Sequence, residues 1–213
     1  RFLWKPNLKV KTALIFGSSG LVGKKLLNHV INNSNYSKIK IFVRSPPEIS
    51  NSKVDIINTD FSDFEIIKNL ITGDDCFFCI GTTKKKSPDK NEYRRVELEI
   101  PKKIAQISKS NNVKSFIFVS SGFANPKNSG DYLKFKGLVE EEIKSLNFEK
   151  IGILRPSFLL GNRKEKRVGE KIGIFIFKLL SPLFIGPIKK MKPIDSEKVA
   201  KAMLQIANNN IQQ

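Results

Sequence analysis

The run Ala13–Gly23, ALIFGSSGLVG, is an apolar stretch that breaks at once into three glycines, Gly17, Gly20 and Gly23, at three-residue spacing. A buried strand that ends in such a turn and feeds a helix points backbone N–H groups at an anion, and the pyrophosphate of a dinucleotide suits that cradle. Each glycine answers a different demand. Gly17 leaves the strand through a turn that a Cβ hinders, Gly20 lets phosphate approach the backbone, and Gly23 lets the helix pack closely on the strand. Ser18, Ser19, Leu21 and Val22 complete the cradle. Glycine triplets also occur in ordinary loops, and the spacing is not the commoner G-x-G-x-x-G. Placement between the apolar Val10–Phe16 and the helical Leu21–Ile31 is what points to a dinucleotide.

Six short apolar runs read as strands: Val10–Phe16, Ile39–Val43, Val54–Asn58, Asp75–Ile80, Ser115–Val119 and Ile151–Leu154. Between them Gly20–Asn33, Phe61–Leu70, Asn91–Lys109 and Tyr132–Leu146 carry helical periodicity, with Ser62 as the expected cap of the second, and Ser196–Ala207 closes as an amphipathic helix. Continuous apolar strands alternating with helices predict an α/β fold, a doubly wound parallel sheet with helices on both faces. The 213 residues fit one domain, 1–213, with a core over about 10–156 and a small substrate or cap region over about 157–208. A chain of this size buries about 70% of its unfolded surface. Within the cap region 161–170 is charged and loop-like. The apolar 173–186 segment reads as pocket wall or core, with a dimer face or a shallow membrane-docking element as alternatives. No apolar run reaches the roughly 18 residues of a spanning helix, and the first residues, RFLWKPNLKVK, lack the apolar core of a signal peptide.

A net charge of +18 raises nucleic acid and acidic membranes as partners. Yet the clusters Lys84–Lys86, Arg163–Arg167 and Lys189–Lys192 are not interleaved with aromatics, and no helix-turn-helix or zinc-finger spacing occurs. The expectation is a solvated lysine-rich surface that favours anionic small molecules, with no specific nucleic-acid partner and a monomer or homodimer as the working state. Cys76 and Cys79 form a lone C-x-x-C inside an apolar run. No second pair completes a metal site, so they read as buried strand thiols of a cytoplasmic protein, with no metal. The single histidine, His29, reads as a surface residue with nothing nearby to orient it.

Two further features sit where a dinucleotide fold needs them. Arg44 ends the second strand, about twenty residues past the glycine turn, where an acidic residue binds a free 2′-hydroxyl. A planar cation there pairs instead with a 2′-phosphate, so NADP(H) is expected over NAD(H). Downstream, Ser120 and Ser121 end the fifth strand, and Tyr132 and Lys136 stand four apart on one helix face. A free phenol has a pKa of about 10, and a neighbouring ammonium favours its phenolate. Tyr132 is therefore the candidate proton donor to a carbonyl, Lys136 its partner and a holder of the nicotinamide ribose, and Ser121, ahead of Ser120, the hydrogen-bond donor to the substrate oxygen.

The glycine spacing followed by Ser121, Tyr132 and Lys136 in this order resembles the short-chain dehydrogenase/reductase superfamily. The strings CIGTTKKK (79–86), YRRVELEIP (93–101), FVSSGFANP (118–126), YLKFKGLVEEEI (132–143) and ILRPSFLLGNR (153–163) resemble its atypical, Tat-interacting-protein-like oxidoreductase branch, over residues 10 to 208. The resemblance implies a Rossmann-like sheet, NADP(H) as cofactor, Asp60 and Phe61 near the adenine, Cys79, Ile80, Gly81 and Thr82 along the cofactor, and Arg155, Pro156 and Ser157 near the nicotinamide. Two departures stand out. Glu97 replaces the superfamily's frequent asparagine, and Ser157 occupies a position where relatives carry glycine. Relatives of this branch include regulators and assembly factors. Alongside an oxidoreductase of a small carbonyl-type substrate, a non-catalytic NADPH-binding regulatory or assembly protein is therefore the second expectation.

Overall fold

A computed structural model, which describes residues 10–157, 159–160 and 193–209, turns the six apolar runs into strands β1 (Lys11–Phe16), β2 (Tyr36–Val43), β3 (Val54–Asn58), β4 (Asp75–Phe78), β5 (Ser115–Val119) and β6 (Lys150–Leu154). All neighbours pair in parallel, in the order β3-β2-β1-β4-β5-β6. This is the strand order of the Rossmann fold. Two residues of β7 (Leu159–Leu160) pair in parallel with β8 (Ile194–Asp195) in a separate ribbon.

Alternate side chains of each strand feed opposite layers. Ala13, Ile15, Ile41, Phe77 and Ile117 pack under helices α1 (Leu21–Ile31) and α6 (Ser196–Asn208), which supply Leu26, Val30, Val199 and Met203. Leu14, Phe16, Phe78, Phe116 and Phe118 face the other way, onto Ile104 of α4 (Ile100–Ser110) and Val139 and Ile143 of α5 (Asp131–Ser145). The rings of Phe16 and Phe42 stack at 4.4 Å. Each such burial contributes about 1.5–3 kcal/mol, and the sheet is apolar on both faces for this reason.

Several local expectations are corrected. Ser62 does not cap the second helix. Phe61 takes φ 63°, Asp63 accepts the Glu65 N–H at 2.8 Å, and α2 is the single turn Phe64–Ile67, continued by a 3-10 turn over Lys68–Leu70. The helix expected over Asn91–Lys109 is three pieces: α3 (Lys90–Arg94), a π-turn (Arg95–Glu99) and α4. Pro101 explains the break, because it has no N–H for the Glu97 carbonyl four residues earlier and its ring crowds that carbonyl. Cys79 lies one residue beyond β4 rather than in the strand, and β2 begins three residues early, at the buried Tyr36. His29 is oriented after all, by Glu197 Oε1 of α6 at 2.5 Å. The segments 161–170 and 173–186 lie outside the described residues.

At the edge where the strands begin, Asp75, 1% exposed, accepts from Tyr36 Oη at 2.7 Å, Ser115 Oγ at 2.5 Å and Lys11 Nζ at 3.0 Å. It pushes the Tyr36 phenol up, second to burial itself. Asp75→Ala strands three donors together and should cost on the order of 3 kcal/mol in denaturant unfolding. A loss below about 1 kcal/mol would contradict this account of the edge.

Candidate active site

A parallel sheet brings the loops that follow its strands to one edge. Between β1 and β4 the connections leave in opposite directions, which opens a crevice. The candidate site residues that follow strands lie along that edge: the glycine turn after β1, Arg44 after β2, Asp60 and Phe61 after β3, Cys79 to Thr82 after β4, Ser120 and Ser121 after β5, Arg155 to Ser157 after β6.

At the turn, Gly17 takes φ +84°, and a Cβ on it would lie 2.8 Å from the Cys79 backbone. A Cβ on Gly23 would lie 2.1 Å from the Gly17 carbonyl oxygen, so the helix can close on the turn only with glycine there. Gly20 is the extended cap of the eleven-residue α1, offers no side-chain cap, and is followed by no acidic residue in the first turn. The first amides of α1 therefore lack a side-chain partner. Ser18 Oγ is buried without a hydrogen bond, Ser19 is exposed, and Leu21 is half-buried. Val22 packs into the core, so only its backbone can face a ligand. An uncapped helix start and an orphaned hydroxyl beside it fit a pyrophosphate.

Arg44, Asn58, Thr59, Asp60, Ser62 and Asp63 line an open hollow of about 390 Å³ at the ends of β2 and β3. Hydrogen bonds from Ser62 hold the Asp60 carboxyl below the usual carboxylate range. Arg95 forks onto Glu92 at 2.7 and 3.1 Å and donates to the Phe61 carbonyl at 3.2 Å, tying the loop after β3 to the π-turn. Among the described residues Arg44 makes no hydrogen bond or ion pair.

At the far end α5 presses on the loop after β5. A Cβ on Gly137 would meet Pro126 N at 2.3 Å, and Asn125 N donates to the Leu133 carbonyl at 3.0 Å. That contact brings α5 against the segment that begins with Ser121. Tyr132 is 38% exposed and Lys136 is 3% exposed. The Lys136 ammonium lies 5.8 Å from the Tyr132 ring centroid, 4.9 Å from that of Phe118, and 3.1 Å from Glu97 Oε2. Glu97 Oε1 accepts the Thr82 N–H at 2.5 Å, directly beside Gly81. Ile80 is half-buried against the α4–α5 layer. The Cys79 sulfur contacts Met203 Sδ at 3.8 Å, and burial pushes its thiol up to about 12, so it is unreactive at neutral pH.

The two serines separate in role. Ser120 donates its hydroxyl to Glu140, which also takes Arg155 Nε at 2.9 Å and Arg155 Nη2. Ser121 is not drawn into that network. The fork of Arg155 is thus spent on a carboxylate, while the Pro156 carbonyl accepts the Gly122 N–H at 2.9 Å and ties the loop of Ser157 to that of Ser121. Glu140 was not legible beforehand, since in Glu140–Glu142 the sequence does not say which carboxylate turns inward. Among the described residues no His, Cys, Asp and Glu cluster could hold a metal.

The sequence profile described as NAD(P)H-binding matches residues 17–210. The chain belongs to this NAD(P)H-binding family. Rat Protein HTATIP2 is 32% identical over 168 residues, 77% of this chain and 69% of the rat protein. Candida albicans Protein FMP52, mitochondrial, is 30% identical over 206 residues, 94% of this chain and 89% of its own. In structure, the Bordetella bronchiseptica enzyme WbmH, solved with NAD+, superposes with a TM-score of 0.72 at 16% identity, covering 94% of this chain and 73% of that one. Among the structural neighbours of this family member is a short-chain dehydrogenase/reductase superfamily protein from Agrobacterium tumefaciens, the resemblance the motifs anticipated. The fungal name carries a mitochondrial location, which does not fit a plain cytoplasmic expectation. No helix among the described residues is long and apolar enough to cross a membrane.

Proposed function

We propose that the chain is an NADP(H)-dependent oxidoreductase of the atypical short-chain dehydrogenase/reductase type that reduces a small carbonyl-type substrate. The observation that carries this reading is the shared seat of Tyr132 and Lys136: a half-exposed phenol beside a buried ammonium, on the sheet edge that also carries the uncapped glycine turn. The turn amides and Ser18 would hold the pyrophosphate, the hollow at Asp60 the adenosine, and Lys136 the nicotinamide ribose. The bound cofactor supplies a hydride for the carbonyl carbon. Tyr132 then gives its phenolic proton to the carbonyl oxygen, the Lys136 ammonium stabilises the phenolate left behind, and Ser121 orients the oxygen. The chain works as a monomer or homodimer without a specific nucleic-acid partner. Its two free thiols suit a reducing compartment.

Arg44 supports NADP(H) over NAD(H), since its exposed guanidinium acts on Glu92 only at a distance and makes no hydrogen bond, while Asp60 and Asp63 are engaged by the amides of Ser62 and Glu65. A charge-assisted contact to phosphate contributes about 1.5–3 kcal/mol, so NADPH should bind about ten- to a hundredfold tighter than NADH. Calorimetric titration of both cofactors tests this, with Arg44→Asp expected to abolish or reverse the preference. Equal affinity of the unaltered protein for the two would remove Arg44 from the role. A second reading, a regulatory protein that binds NADPH without turnover, is favoured by the carboxylate of Glu97 standing where the superfamily's proton relay uses an amide.

A further inference from the structure

Glu97 and Lys136 are both almost wholly enclosed, at 1% and 3% exposure. The π-turn that Pro101 imposes places Glu97 on the inner face, between the loop after β4 and helix α5. Its Oε1 is satisfied by the Thr82 N–H, whereas Oε2 has no hydrogen bond of good geometry and lies 3.1 Å from Lys136 Nζ. The rings of Phe118 and Tyr132 and the turn at Gly81 also flank the ammonium.

We propose that Glu97 is the positioning residue for Lys136, the counter-charge that keeps the ammonium in its apolar seat and so preserves dinucleotide affinity at alkaline pH. Burial disfavours a charged amine, and a carboxylate at contact distance offsets that cost, which an amide dipole does only in part. Other titratable groups facing the pair do not substitute for it. Cys79, after β4, and Tyr93, on α3, are held neutral by burial. The phenol of Tyr132 shares the ammonium's own helix, Asp131 sits at the solvent rim 3.7 Å from Lys84, and Glu140 is spent on Ser120 and Arg155. The inference rests on the reading that this edge takes a dinucleotide, but its first test does not.

The side-chain carbon next to the ammonium of Lys136 is followed by NMR against pH in cofactor-free protein, assigned by its loss in Lys136→Met. In Glu97→Gln the amine should release its proton at least about one pH unit lower than in the parent, a tenfold change in proton affinity, whereas Glu97→Asp should stay near the parent. Binding of NADPH then gives a second readout. Below the lowered titration point the ammonium is present and Glu97→Gln binds like the parent at pH 6. As the pH rises through it the variant loses the charge before the parent does, and its affinity should fall away from the parent's, towards about tenfold for a one-unit difference. A merely structural role weakens binding equally at every pH and overturns the proposal. An unmoved Lys136 titration in folded Glu97→Gln overturns it as well. Should Glu97→Gln fail to fold, the double variant Glu97→Gln/Lys136→Met must recover the fold, because it removes both charges, and failure to do so also overturns it. If the parent binds no NADPH, the functional reading falls while the NMR titration still decides the pair.

Discussion

Tyr132→Phe should lower NADPH-dependent carbonyl reduction by about 10²–10⁴-fold, the usual contribution of a positioned acid. The substitution removes one hydroxyl and keeps the ring that lies 5.8 Å from Lys136, so stability and NADPH affinity should change little. Tyr132 is the phenol available for chemistry. Tyr36 is buried and donates to Asp75, and Tyr93 is 5% exposed with its phenol pushed up by burial. Tyr132 sits beside the loop that begins at Ser121, held by the glycine-only contact of Gly137 with Pro126. A panel of small aldehydes, ketones and quinones followed through loss of NADPH absorbance measures the effect. Turnover unchanged in Tyr132→Phe would remove the phenol from the mechanism. Tight NADPH binding with no turnover on any substrate would move the account to the regulatory reading.

Gly20→Val should eliminate NADPH binding while leaving the fold in place. Gly20 has φ −75° and ψ 173°, an extended conformation open to valine, and its Cβ would touch only the Gly17 carbonyl oxygen, at 3.2 Å. The branched side chain would then fill the space over the first turn of α1 where the phosphates approach. Gly23 does not offer the same test, because a Cβ there would collide with the turn at 2.1 Å and any loss of binding would be a loss of fold. Circular dichroism and calorimetric titration, run together, separate the two effects. A folded Gly20→Val that binds NADPH like the parent would place the phosphate cradle elsewhere.

Much of this molecule is legible in its sequence because a parallel sheet is buried on both faces. Such strands must be apolar throughout, so Leu14 with Phe16 and Ala13 with Ile15 announce two layers rather than one. The same topology explains why the glycine turn after β1, Arg44 after β2 and Ser121 after β5 lie on one edge: strand ends that run parallel share it. What was not legible depends on single atoms or distant partners. Ser62 and Asp63 are equally good caps by type, and only the left-handed Phe61 decides between them. Helical periodicity ran unbroken through Arg95–Glu99, and the missing Pro101 N–H turned one register into a π-turn that aims Glu97 at Lys136. Glu140 and Glu197 acquire their roles from Arg155 and His29, 15 and 168 residues away in the chain. No local pattern encodes contacts of that kind.

The most direct test of the account is a crystal structure of the chain with NADP+ bound. It should show the pyrophosphate on the amides of the Gly17–Gly23 turn, the 2′-phosphate against Arg44, Lys136 on the nicotinamide ribose, and an open pocket of a few hundred Å³ between the nicotinamide and Tyr132. A dinucleotide bound away from the glycine turn would contradict the assignment of the cofactor site, and a nicotinamide walled off from Tyr132 would contradict the chemistry proposed for it.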